Sequence, residues 1–299
     1  MELLLVPFLE AAVRTATPLA YAALGELVAE RAGVINLGLE GIVIAGCLGA
    51  LLVASASGPG LGLVAAALSG ALIAACFALL VLHARTDQII TGTALTLFGL
   101  GLTGTVFRVL AARGMSASTT TIPAVRIPWL ADLPLVGSAF FAQPVTTYAL
   151  YLFIPLLSWW MFRTHAGLAL RAVGEHPEAS VAAGVRPTVV RWAAILFSGV
   201  MGGLCGGTLV LAQVGSFNEG MSAGRGFIAI AIVVLGRWRP LGVAGASAIF
   251  GAAFALQYLF QSLDWRVPYQ VFLALPYLLT LFLLATLRGR AAAPASLGR

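Results

Sequence analysis

The stretch Val34–Ala54, VINLGLEGIVIAGCLGALLVA, decides the fold class, because it carries a single charged residue, Glu40, over the roughly 20 residues needed to cross a bilayer. Comparable runs occupy Pro7–Ala29, Leu61–His83, Ile89–Val109, Thr147–Phe162, Val189–Ala212, Leu241–Phe260 and Val267–Leu287. A shorter run, Gly226–Leu235, covers only about half the hydrocarbon and reads as a half-helix or a re-entrant segment. The 299 residues are 60% hydrophobic and 9% charged, with a mean hydropathy of +1.00. Soluble domains carry about 25% charged residues, so membrane hydrocarbon is the expected solvent. The sequence therefore predicts one all-α transmembrane domain over 1–299, a polytopic bundle of about 8–10 spans with room for broken segments.

The formal charge of +6 comes from arginines scattered between apolar runs, with no basic stripe of the kind a nucleic acid polymer needs. All 17 basic residues are arginine. A P-loop needs its lysine, so ATP hydrolysis is expected on another polypeptide. With the N-terminus outside, eleven arginines fall on the cytoplasmic side (Arg31, Arg85, Arg163, Arg171, Arg186, Arg191, Arg237, Arg239, Arg288, Arg290, Arg299). The other six fall outside: Arg14, Arg108, Arg113, Arg126, Arg225 and Arg266. Cys47, Cys76 and Cys205 have neither disulfide nor metal-ligand spacing and read as packing residues. The start, MELLLVPFLE, lacks the positive charge of a cleaved targeting peptide.

Two connections are too long for turns. The first, 111–146, holds Thr119, Thr120, Thr121, Pro123, Pro128, Trp129 and Pro134, and is expected as an external cap, either a structural rim at the membrane interface or a partner-docking surface. The second, Arg163–Arg191, is cytoplasmic and charged, and reads as helix, turn, helix, with Pro177 near the start of the second piece and Gly184 as its stop. Small residues mark helix contacts: Gly41, Ala45 and Gly49, then Ser198, Gly202 and Gly206 beside Gly199, Gly203 and Gly207.

Three polar clusters sit in or beside the apolar runs. Asn36 and Glu40 are four residues apart, expected on one helix face, and would either line a path or lock neighbouring helices. Flanking glycines permit a broken helix there. Asp87 suits a helix N-terminus, with Gln88 and Thr91 as further path candidates. Gln213, Phe217, Asn218 and Glu219 offer amides, an aromatic face and a carboxylate suited to a ribose or a base. His83, His165 and His176 are far apart, and neither a catalytic set nor metal spacing emerges.

Two motifs carry a family resemblance. Within Pro18–Gly49 stands Gly33–Gly41, GVINLGLEG, and the second is Arg171-Ala172-Val173-Gly174-Glu175-His176-Pro177-Glu178-Ala179 followed by Ala183-Gly184-Val185. With them the chain resembles the permease subunits of bacterial ATP-binding cassette (ABC) importers of the branched-chain amino acid, ribose and nucleoside superfamily, nearest the nucleoside branch. His176 stands where an asparagine is expected, and Gly236-Arg237-Trp238-Arg239-Pro240 is more basic than in sugar permeases.

The resemblance implies a multi-pass protein of the bacterial cytoplasmic membrane, surrounded by lipid, whose 171–185 segment is a coupling helix seated on a cytoplasmic ABC ATPase subunit. It implies a second permease, identical or homologous, and an extracytoplasmic solute-binding protein or lipoprotein that delivers a small-molecule solute. ATP and Mg would belong to the ATPase, and this chain would bind no cofactor. The expected cargo is a nucleoside or a simple sugar. The rival expectations are a branched-chain amino acid permease of the same kind and an ion-coupled secondary transporter using Glu40 or Glu219.

Overall fold

The computed structural model describes residues 2–114, 116, 118–134, 136–262, 274, 277, 278, 280–282, 285 and 293–298. Helix α1 (Glu2–Arg31) is followed by α2 (Leu39–Ser57), α3 (Pro59–Ala78) with a π-helical turn over Leu79–His83, and α4 (Gln88–Ala112). A two-stranded antiparallel ribbon, β1 (Ala124–Arg126) with β2 (Ala142–Pro144), encloses the short α5 (Gly137–Phe141). Then come α6 (Val145–Arg163), α7 (His165–Glu175), α8 (Pro177–Ala182), α9 (Pro187–Leu209) with a π-helical turn to Val214, α10 (Arg225–Leu235) and α11 (Pro240–Ser262).

Among the described residues, 6 of these helices are long and apolar enough to cross a membrane: α2, α3, α4, α6, α9 and α11. Helix α1 is longer, at 30 residues with Pro7 and Pro18 inside it, and is less apolar than that set. The expected run Val267–Leu287 falls largely outside the described residues. Local chemistry sets the helix starts. Asp87 Oδ1 accepts from the amides of Ile89 and Ile90, both at 2.9 Å, Thr164 Oγ1 accepts from Gly167 N at 3.1 Å, and Pro59, Pro177 and Pro187 open their helices.

The second helix begins later than its hydropathy indicates. Helix α2 starts at Leu39, and residues 32–38 run as non-helical backbone that is buried almost throughout. Asn36 therefore does not share a helix face with Glu40: the glycines Gly33, with φ +87°, and Gly38 frame an extended segment instead. This segment rises into the bundle. A Cβ on Gly202 of α9 would lie 2.9 Å from Leu39 Cδ1, and at about 1.5 Å per residue Gly202 is about 22 Å along α9 from Pro187. The start of α2 is thus well inside a hydrocarbon layer about 30 Å thick.

A second interruption faces the first. After Val214 the chain leaves helix at Gly215, and α10 resumes only at Arg225, with Gly226 packed on the backbone of Glu40. Helix α10 is 11 residues long, a half-helix that opens deep in the bundle and ends at Leu235. Arg225 accordingly lies at that depth and not at the outer surface, as its place in the sequence implies. Its guanidinium bonds the carbonyls of Met221 and Ser222 and stacks over Phe254 at 5.5 Å.

Small residues let the helices close. On α9, Gly202 and Gly206 face Ile42 and Val43 of α2, while Gly199, Gly203 and Gly207 face Ala74, Ala66 and Leu63 of α3. Lipid supplies no hydrophobic drive between helices, so such close approach is what holds them. Cys47 and Cys205 are buried in this packing, whereas Cys76 is exposed.

Charged and aromatic residues sort to the two ends. At one end Arg31 donates to the Trp238 carbonyl through Nε at 2.9 Å and Nη2 at 2.7 Å, Arg191 reaches the Ala32 carbonyl at 3.2 Å, and His83 meets Trp192 edge-on. At the other, Arg108 pairs with Glu219 at 3.5 Å, and the 111–146 connection bonds the top of α9 through Thr119 N to Gly215 O and Ile122 N to Leu211 O. That connection includes the ribbon and α5.

Candidate functional site: a buried joint between two interrupted helices

An unwound backbone inside a bundle must find partners for its N–H and C=O groups, and the side chains that provide them define the site. For residues 32–38 these come from three helices. Asn36 N donates to Glu26 Oε1 of α1 at 2.8 Å, Ile35 N to Gln88 Oε1 of α4 at 2.9 Å, and Thr96 Oγ1 of α4 donates to the Leu37 carbonyl at 3.0 Å. Asn36 Oδ1 accepts from Gly38 N at 3.0 Å, while its Nδ2 has no partner among the described residues. Ser198 of α9 closes the set by donating to Glu26 Oε2 at 3.2 Å.

Glu40 fastens the two interruptions together. Its Oε1 accepts from Gly224 N and its Oε2 from Gly226 N, both at 2.7 Å, so one carboxylate takes two of the amides that the start of α10 leaves open. Gly224, at φ +76°, has no capping side chain of its own, and Glu40 of α2 fills that role across the joint. Because Glu40 also lies in the first turn of α2, its charge sits at two helix N-termini at once.

Of the other path candidates, Thr91 donates its hydroxyl to Thr86 Oγ1 at 2.8 Å near the start of α4. Phe217 is buried against Phe107, 4.9 Å between ring centres, and Asn218 and Glu219 are exposed beside it. Gln213 points away from the joint and donates to the Arg14 carbonyl at 2.5 Å. The structure therefore gathers Asn36, Glu40 and Gln88 around one buried backbone break, sets Phe217, Asn218 and Glu219 on the other break, and leaves Gln213 apart.

The arginine-rich end carries the second motif. Arg171 stacks over Phe162 at 5.1 Å, Ala172 is half-buried, and Val173 and Gly174 are buried against the chain near Arg31 and Ser296. Glu175 Oε2 accepts from Ala295 N at 3.2 Å and Oε1 stands 4.0 Å from Arg31. His176 breaks the helix, and beyond it Glu178, Ala179 and Gly184 project outward with Pro177 half-buried. Residues 171–175 thus bind to the bundle, and α8 with its flanks is the exposed part of this connection. Its outermost apolar side chain, Val181, is 59% exposed.

Glu26 and Glu30 were not singled out by the sequence pattern, and Trp238 figured only within the basic stretch Gly236–Pro240. Trp238 Nε1 donates to Glu30 Oε2 at 2.5 Å. The signal was present, since two carboxylates one helical turn apart in an apolar run are costly unless they face protein partners.

A chain of membrane-spanning helices with paired buried interruptions and one protruding charged connection is a polytopic helical permease. It belongs to the family described as branched-chain amino acid transport system / permease component, whose pattern matches residues 8–284. The guanosine ABC transporter permease protein NupQ of Bacillus subtilis (strain 168) is 35% identical over 95% of this chain and 92% of its own. The nucleoside ABC transporter permease protein NupC of Lactococcus lactis subsp. cremoris (strain MG1363) is 33% identical over 93% and 91%. TsgC13 of Haloferax volcanii, named provisionally as a glucose ABC transporter permease protein, is 39% identical over 86% and 78%. No solved structure matches the chain. The protein is a multi-pass membrane transport subunit.

Proposed function

We propose that this chain forms the transmembrane path of an ATP-driven importer for nucleosides, working by alternating access. The observation that carries the reading is the joint at Glu40, where two non-helical segments meet inside an apolar bundle. Irregular backbone at that depth is tolerated where it is packed in protein or lines a cavity, and interrupted helices of this kind serve as solute sites in transporters. Asn36 contributes a buried donor with no partner among the described residues, and Phe217, Asn218 and Glu219 supply an aromatic face and polar groups on the facing segment. Gln88 and Thr91 continue the polar lining toward the arginine-rich end, while Gln213, bonded to the Arg14 carbonyl, stands apart from it.

The relatives named for guanosine and nucleosides favour nucleoside cargo, and the relative named for glucose supports a sugar as the second reading. The arginine-rich end faces the cytoplasm in this reading, and α8 seats on a separate ATPase subunit that binds ATP and Mg. A second permease and an extracytoplasmic solute-binding protein complete the assembly.

The test is uptake of radiolabelled guanosine by proteoliposomes holding the permease with its co-expressed ATPase. Uptake that requires ATP and falls at least tenfold in Val181→Glu, with ATPase co-purification lost, supports the reading. ATP-independent uptake driven by a proton gradient overturns it. Glucose uptake without guanosine uptake replaces the cargo.

A further inference from the structure

The tight turn between α10 and α11 is built at some cost. Arg237 and Trp238 are both non-glycine residues at positive φ, +54° and +52°, a conformation that branched and bulky side chains rarely hold. The turn sends Trp238 inward to Glu30 and leaves Arg237 and Arg239 exposed, with no ion-pair partner among the described residues. These two arginines and Arg31 line one side of a cavity of about 920 Å³, large enough for a small ligand, and Ser158, Phe162 and Leu241 line the other. Among the described residues that line it, the single carboxylate is Glu175, 4.0 Å from Arg31. Three cations against one anion leave the cavity with a net positive charge.

The cavity continues along the bundle surface. Ser158, Phe162 and Leu241 are shared with an adjoining cleft on α6 and α11 that adds Pro155, Trp159 and Arg163. Trp159 and Leu241 there are 58% and 66% exposed, a surface made for hydrocarbon. A cationic chamber that continues into a cleft where Trp159 and Leu241 stand exposed beside a further cation, Arg163, matches one chemistry, an anionic head joined to acyl chains.

We propose that the cavity between α6 and the α10–α11 turn binds the headgroup of an anionic glycerophospholipid. The phosphate lies among Arg31, Arg237 and Arg239, Ser158 offers its hydroxyl to the glycerol region, and an acyl chain follows Trp159 and Leu241. Juxtamembrane arginines attract anionic lipid generally, but here the groove adds selectivity for a lipid over a soluble anion.

Native mass spectrometry of the purified permease tests this with phosphatidylglycerol, phosphatidylcholine of the same acyl chains, and free glycerol phosphate. Phosphatidylglycerol should bind in preference to both. Arg237→Gln with Arg239→Gln should weaken it on the order of tenfold and leave phosphatidylcholine unchanged, and Arg237→Lys with Arg239→Lys should keep most of the affinity. The unchanged phosphatidylcholine value reports that the variant is folded, and Trp159→Gln should weaken lipid alone. Equal binding of glycerol phosphate would make this a soluble-anion site and overturn the proposal. So would unaltered phosphatidylglycerol affinity in the glutamine pair, whether or not that variant had lost its ATPase.

Discussion

Gly226 donates its backbone N–H to Glu40 Oε2 at 2.7 Å, and a Cβ on Gly226 would overlap the backbone nitrogen of Glu40. The half-helix α10 and the start of α2 are therefore joined at a point that admits no side chain on one partner and requires a carboxylate on the other. In Glu40→Gln one oxygen is replaced by an NH₂ that confronts an amide donor. The loss of a charge-assisted bond predicts a destabilisation of about 2–4 kcal/mol. A detergent-solubilised unfolding series should show it, with uptake falling in parallel. An unmoved midpoint would refute the capping role.

Close packing at Gly203 makes a separate prediction. A Cβ there would overlap the Ala66 carbonyl, while Cβ atoms on Gly46 and Gly70 would come within 2.5 Å and 2.7 Å of Gly203 itself. Gly203→Ala should cost about 1–3 kcal/mol through displaced helices. Gly101 of α4 meets nothing within 4 Å, so Gly101→Ala should be neutral or stabilising by up to about 1 kcal/mol. Thermal denaturation of the two variants side by side checks both signs.

How much of this was legible in the sequence depends on which force sets each feature. The bundle follows from apolar run length, and the helix starts at Gln88 and Pro177 follow from the Asp87 cap and from proline, so both could be read directly. The glycines around Asn36 allowed a break, but how late α2 starts could not be read. Val34, Ile35 and Leu37 are as apolar as the helix that follows, and only partners distant in sequence, Glu26, Gln88 and Thr96, make an extended path affordable. The half-helix was visible as a short run, but its depth depends on Glu40, 184 and 186 residues away from the amides it caps. For the same reason the glycine pattern of α9 could be recognised as a contact surface, yet not divided between α2 and α3.

The Glu30–Trp238 contact predicts a coupling that a double-mutant cycle can measure. Trp238→Phe keeps the ring and removes the only donor that Glu30 Oε2 has among the described residues. The stranded carboxylate should cost about 1–3 kcal/mol, and combining the change with Glu30→Gln should recover part of that loss. Additive losses would mean that the pair does not interact.

The stretch Pro294–Gly298 ties the second motif to the first. Ser296 donates to the Gly174 carbonyl through both Oγ, at 2.7 Å, and N, at 2.9 Å, and Gly298 N reaches the Gly33 carbonyl at 3.2 Å. Gly174 in turn lies so close to Arg31 that a Cβ would overlap its carbonyl oxygen. If α8 seats a partner as proposed, a displacement of α7 would act on residues 31–38 and, through the Asn36–Glu26 bond, on the joint. Ser296→Ala removes the hydroxyl bond and should cost only about 1 kcal/mol of stability, because the backbone bond remains. Its effect on coupling should be larger: in reconstituted vesicles, ATP hydrolysis should persist while solute moved per ATP falls. Gly174→Ala, which forces the two segments apart, should lower that ratio further. A ratio unchanged in both variants would show that motion reaches the joint by another route.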